Sequence, residues 1–176
     1  MWSGTCVMRW RGRRMAESTI ARKGLLAIVG AAAAASLMIL VPRNEGTVYK
    51  TYRDIGGVLT YCTGATENAQ AGKTYTPAEC QAQLDKDLAS HAAGIARCVP
   101  MDKLTDGQKV AFVDTAYNIG VGAFCGSSMA RKANAGDLAG ACAALSLWIN
   151  VNGKPVQGLI NRRALAREFC EGKRPV

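Results

Sequence analysis

The sequence predicts a mixed α+β protein, mostly helical. A small β-hairpin lobe faces a larger helical lobe across a cleft, and a transmembrane or signal-anchor segment precedes both. Three observations carry this expectation. Residues 47–64 form two strand-forming stretches around the turn residues Asp54-Ile55-Gly56-Gly57. Residues 76–171 are a succession of apolar stripes at helical spacing, most of them behind a capping residue. Residues 24–41, GLLAIVGAAAAASLMILV, are eighteen positions without a charge, long enough to be a candidate membrane span.

Taken in order, residues 1–23 are a basic head with Arg9, Arg11, Arg13, Arg14, Arg22 and Lys23, and Met8 or Met15 could serve as an alternative start. Residues 24–42 are the apolar segment, closed by Pro42, and 43–176 form the globular domain. The basic flank predicts an inside N-terminus and an outside body, reached through the secretion translocon. Six alanines, two glycines and a serine make the segment weakly apolar, because small side chains contribute little transfer free energy. A releasable anchor, a cleaved signal peptide and a permanent anchor are all compatible with it. After the hairpin, residues 65–75 read as a polar loop. Thr76-Pro77-Ala78-Glu79 then opens a helix with Leu84, Leu88, Ala92, Ile95 and Val99 on its buried stripe. His91 in that helix reads as a surface residue. Thr105 caps the next helix, whose buried face carries Val110, Val113 and Tyr117, and Asn118-Ile119-Gly120-Val121-Gly122 stops it. Ser127 or Ser128 starts a short helix ending at Asn134-Ala135-Gly136. Asp137 caps another, with a stripe through Leu138, Ala141, Cys142, Leu145, Trp148 and Ile149. Asn152-Gly153 turns, and a last helix over 158–171 stops at Gly172.

Net charge is +9, unevenly spread: six basic residues against one acidic in 1–23, and sixteen against twelve in the rest. The body is therefore only mildly basic, which suits a solvated surface or an acidic polymer. No zinc spacing or RNA-binding signature accompanies the charge, so a nucleic-acid partner is not expected. Of seven cysteines, Cys6 lies in the head and Cys62, Cys80, Cys98, Cys125, Cys142 and Cys170 lie in the body. An even six behind a translocation signal points to three disulfides in an oxidising compartment, and the sequence does not choose their pairing. With no C-x-x-C and a single histidine, neither metal nor cofactor is expected.

Glu45 and Asp54 flank the first strand of the hairpin, and Thr60 lies in the second. Two carboxyls on one side of a cleft are what glycoside hydrolysis requires: one protonates the leaving oxygen, the other activates water or forms a covalent intermediate. The run Glu45-Gly46 … Tyr52-Arg53-Asp54-Ile55-Gly56-Gly57-Val58-Leu59-Thr60 … Gly64 resembles the signature of the phage-type lysozymes, glycoside hydrolase family 24. The resemblance continues in Tyr117-Asn118-Ile119-Gly120-Val121-Gly122, in Trp148, and in Gly158-Leu159-Ile160-Asn161-Arg162-Arg163 followed by Glu168. It spans roughly residues 43–172 and is nearest in look to the signal-anchor-release endolysins of lambdoid phages and prophages.

The resemblance implies a lysozyme-like fold and an inverting muramidase acting on the β-1,4 bond of peptidoglycan between N-acetylmuramic acid and N-acetylglucosamine. It implies Glu45 as the acid, Asp54 as the ionised carboxylate and Thr60 as a hydroxyl near the attacking water. Inversion calls for carboxyls roughly 6.5–9.5 Å apart. Gly57 would let the sugar approach, Asn118 would contact an N-acetyl group or backbone, and Arg162 or Arg163 would pair with Glu45. The protein would be a monomer, held in the host inner membrane through residues 24–41 and then released to the periplasm, where part of the anchor joins the helix carrying Glu45. The sequence departs from the family at Ala65, which stands where relatives carry a histidine. That change is expected to orphan Asp87 and to lower stability. Two other classes compete: a different wall enzyme (a Cys62–His91 peptidase, or a lytic transglycosylase needing only Glu45), and a non-catalytic, membrane-anchored wall-binding or regulatory protein derived from a lysozyme.

Overall fold

A computed structural model describes residues 24–54 and 56–176; the basic head, Cys6 and the alternative starts lie outside the described residues. The apolar segment opens the structure as two helices, α1 (Leu25–Val29) and α2 (Ala31–Glu45). Gly30, at φ +91°, separates them, a conformation glycine adopts without penalty. Among the described residues no helix is long and apolar enough to cross a membrane. Leu25, Val29, Ala33, Leu37 and Val41 are fully buried in the main core. α2 continues through Pro42 to Glu45, and Gly46 closes it by donating its N–H to the Pro42 carbonyl.

The hairpin follows at once. β1 (Val48–Arg53) and β2 (Leu59–Cys62) are antiparallel, with Tyr52 opposite Thr60 and Arg53 opposite Leu59. The polar loop returns to the sheet: Tyr75 N–H donates to Tyr49 O, and Lys50 bridges Thr74. A small core of Tyr61, Cys62, Ala65, Tyr75 and Cys80 sits here, with the Tyr61 and Tyr75 rings stacked 4.2 Å apart.

Helix α3 (Pro77–Ile95) leads to the helical lobe. Its Thr76–Glu79 capping box is formed in both directions, which satisfies two otherwise orphaned N–H groups. Helix α4 (Asp106–Ile119) opens on a second capping box, Thr105–Gln108. It runs through the middle of the lobe, with Val110, Ala111, Phe112, Val113 and Ala116 fully buried. Around it lie α5 (Val121–Cys125), α6 (Ser128–Asn134, capped by Ser127), α7 (Leu138–Ala144, capped by Asp137) and α8 (Gln157–Cys170). The helix expected to reach Ile149 stops earlier. α7 gives way to a 3-10 turn over Leu145–Leu147, and a two-residue hairpin, β3 (Asn150–Val151) and β4 (Lys154–Pro155), turns at Asn152-Gly153. The apolar stripe is present there because Leu145 still enters the core; the backbone has tightened beneath it. Gly107 has no room for a Cβ, which would collide with the Phe169 carbonyl oxygen. That close approach seats the start of α4 against the end of α8.

The cysteine pairing left open by the sequence is Cys62–Cys80, Cys98–Cys125 and Cys142–Cys170. The first joins β2 to α3, the second the end of α3 to α5, the third α7 to α8.

Candidate active site

The C-terminal end of α2 projects Glu45 towards a cavity of about 360 Å³ between the hairpin and the helices. Thr63, Gly64, Ala65, Thr66 and Glu67 form its wall on the hairpin side; Asp87 and His91 of α3 and Tyr117 and Asn118 of α4 form the other. Tyr117 ties the two sides together, its hydroxyl donating to Thr63 O at 2.7 Å. Burial pushes the Tyr117 hydroxyl far up from its ordinary value, reinforced by the charges of Asp87 and Glu45. It therefore stays a protonated donor across the working pH range.

Glu45 is held by Arg162, not Arg163. Arg162 Nη1 lies 2.5 Å from Glu45 Oε1, with the glutamate side chain 31 % exposed and the arginine 8 %. The other edge of the same guanidinium grips Asp114, a carboxylate at full burial. Arg162 Nε donates to Asp114 Oδ2 at 3.1 Å and Nη2 to Oδ1 at 2.9 Å. Asn44 Nδ2 adds a bond to Asp114 Oδ1 at 3.2 Å. Burial alone would lower the Arg162 pKa, but Asp114 and then Glu45 hold it above its ordinary value. Arg163 is different. It is buried and donates Nη2 to Asn118 Oδ1, while Nε and Nη1 have no partner among the described residues. Burial pushes it down to about 10, against the pull of Asp114.

The expected residues therefore fall into two groups. Glu45, Asn118, Arg162 and Arg163 are brought together on and behind the cavity wall. Asp54, Gly57 and Thr60 sit in and beside the hairpin turn and do not line that cavity. Asp54 Oδ1 accepts the Val58 N–H at 2.8 Å, and the buried Thr60 hydroxyl donates to Val58 O at 3.1 Å. Gly57, at φ +77°, makes the turn that brings both residues to Val58.

Two expectations need correcting. His91 is not a surface residue: it is half-buried on the cavity wall, its ring 5.0 Å from that of Tyr117 and its Nδ1 2.7 Å from Asp87 O. Asp87 is not orphaned by Ala65, because Gln83 Nε2 donates to its Oδ1 at 2.9 Å. Asp114 was missed altogether. A single acid inside the apolar run Val110-Ala111-Phe112-Val113-Asp114 is a usable signal, since a buried charge requires a partner.

A helical body, a disulfide-linked hairpin lobe and a carboxylate–arginine pair beside the cavity between them define a lysozyme-like protein. The chain belongs to the phage lysozyme family, whose model matches residues 42–166. It is 42 % identical over 165 residues to a SAR-endolysin of bacteriophage PS119, covering 89 % of this chain and 97 % of that one. It is 42 % identical over 156 residues to a SAR-endolysin of enterobacteria phage P21, covering 85 % and 94 %. Among solved structures, a P22 lysozyme mutant superposes at a TM-score of 0.71 with 27 % identity, covering 78 % of this chain and 96 % of that one. The muramidase domain of SpmX from Asticaccaulis excentricus superposes at 0.70 with 27 % identity, covering 77 % and 94 %.

Proposed function

We propose that the protein is an endolysin: a muramidase that hydrolyses the β-1,4 bond between N-acetylmuramic acid and N-acetylglucosamine and so lyses a bacterial host. The observation that carries this is Glu45, at a helix end on the wall of the cavity between the lobes, held by a buried arginine. Protonated Glu45 delivers its proton to the glycosidic oxygen as the C–O bond breaks. A water on the opposite face attacks the anomeric carbon, with inversion. Asp54 takes the proton from that water. Its Oδ1 is occupied by Val58 N–H, which leaves Oδ2 for the task. The Thr60 proton is committed to Val58 O, so its oxygen is an acceptor that orients the water. Asn118 has its Oδ1 occupied by Arg163, which leaves its amide N–H groups to meet an acetamido carbonyl.

The names of the two SAR-endolysin relatives support a further step. Residues 24–41 hold the enzyme in the inner membrane, and on release to the periplasm they become α1 and the greater part of α2. In the bilayer those residues cannot also fill the core, so Glu45 reaches its place only after release.

The test is digestion of purified peptidoglycan by the oxidised full chain and by Glu45→Gln, with mass analysis of the fragments. Reducing-end muropeptides from the first and none from the second are expected. Anhydro-sugar ends would replace the hydrolase with a transglycosylase. No fragments from either, with both folded, would leave the wall-binding alternative.

A further inference from the structure

The muramidase reading uses Glu45, Asp54 and Arg162 but leaves the buried carboxylate of Asp114 unexplained. Asp114 is fully buried at the middle of α4, yet it is ionisable and lies in a stretch that also buries Phe112, Val113 and Ala116. Such a group is costly unless paired and hydrogen-bonded. Here Oδ2 takes Arg162 Nε, and Oδ1 takes both Arg162 Nη2 and Asn44 Nδ2. The Asp114 carbonyl also takes Nη2, at 3.4 Å. This two-point grip fixes the guanidinium plane, and only its Nη1 corner is turned towards Glu45.

We infer that Asp114 is a positioning residue for the reaction: it orients Arg162 and offsets its charge, so that Glu45 is held in place without being trapped as a carboxylate. An arginine facing Glu45 alone would favour the ionised form strongly, and an ionised Glu45 cannot donate. Sharing one cation between two carboxylates weakens that bias. The Nη1 contact also engages only Oε1, leaving Oε2 to carry the proton to the sugar. The other groups around Glu45 are Arg163 behind Arg162, Tyr117 from α4, Asp87 and His91 from α3, and Glu67 from the hairpin side. None of them touches the far edge of the Arg162 guanidinium; Asp114 alone does so among the described residues. Asn44, one residue before Glu45 in α2, bonds to Asp114, so the helix that carries the acid is itself registered on the same carboxylate.

The inference rests on the muramidase reading and is tested so that the two can fail separately. Asp114→Asn keeps the shape and removes the charge; Asn44→Ala removes one bond to Asp114 and leaves the charge. Each is compared with the wild type in the oxidised full chain. The readouts are kcat and KM on soluble peptidoglycan fragments across pH, and the titration of the Glu45 carboxyl carbon by NMR. For Asp114→Asn the expected result is a fall in kcat of at least about tenfold with KM within about twofold. The alkaline limb of the rate and the Glu45 titration should both move to lower pH. Asn44→Ala should move them the same way by less. Unchanged titration and pH profile in folded Asp114→Asn would overturn the inference. If Asp114→Asn does not fold, an Asn44→Ala enzyme with wild-type pH dependence overturns it. An inactive wild type whose Glu45 titration still responds to Asp114 would sink the muramidase reading alone.

Discussion

Asp87 stands on the cavity wall where the family histidine is replaced by Ala65, and its surroundings decide how the protein responds to pH. Burial holds the Asp87 carboxyl above its ordinary range, although the Gln83 amide and the charge of His91 pull it back. The folded chain therefore binds that proton more tightly than the unfolded chain. Asp87 favours folding fully below the ordinary carboxyl value of 3.8, and the contribution is lost as pH rises through the raised native value. Asp87→Asn keeps a polar partner for Gln83 and removes the titration. Its thermal midpoint should exceed that of the wild type near neutrality, with the gap closing as pH falls below the ordinary carboxyl value of 3.8 and the wild-type carboxyl becomes neutral in both states. Melting curves across that range check it; a gap independent of pH would mean that desolvation of Asp87 is not the cause.

Helix α2 has a buried face and an exposed one. Leu37 is fully buried in the core, whereas Ile39, two residues on, is 72 % exposed. A bilayer would value both side chains alike, because each adds similar apolar surface. The fold values only Leu37. Leu37→Ala should cost about 2–5 kcal/mol of stability in the folded protein, as large-to-small core changes do, while Ile39→Ala should stay within about 0.5 kcal/mol. Denaturant unfolding of the two variants reads the difference; equal losses would show that α2 packs in some other register. The same helix shows what the sequence could and could not tell. Its apolarity was plain, and so were the capping box at Thr76 and the capping residue Thr105, because these are local signals carried within a few residues. Its two-helix form depends on Gly30 and on partners far along the chain, which no local pattern encodes. The site divides in the same way. The pairing of Glu45 with the Arg162-Arg163 segment was legible from the family signature, whereas Asp54 and Thr60, named from the same signature, do not line the cavity. Choosing Arg162 over Arg163 needed the packing of α8 against α4, and the Asp114–Arg162 contact spans 48 positions.

At the scale of the whole molecule, the helical lobe and the hairpin lobe are stabilised by different means. The helical lobe has a large core arranged around α4, to which α1 and α2 contribute. The hairpin lobe has only Tyr61, Cys62, Ala65, Tyr75 and Cys80, and two of these five form a disulfide. A two-stranded hairpin is marginal alone in water, and β1 is exposed along nearly all its length. Its attachment to the body rests on the Cys62–Cys80 bridge to α3 and on the Tyr117 bond to Thr63. Cys142–Cys170, by contrast, joins two helices already packed in the main core. Chain-entropy arguments give bridges closing loops of this length about 3 kcal/mol each, but the structure says that the two losses should be expressed differently. Cys142→Ser with Cys170→Ser should lower global stability and leave the hairpin as protected, relative to the core, as it was. Cys62→Ser with Cys80→Ser should release the hairpin first: amides of β1 and β2 should exchange much faster while those of α4 keep most of their protection. The proposed mechanism uses Asp54 and Thr60 at this hairpin turn, so on that reading cleavage of peptidoglycan should fall before the helical core melts. Hydrogen exchange resolved along the chain, with activity followed over the same temperatures, decides it. The same exchange pattern in both variants would mean that the hairpin is held by its packing and not by its bridge.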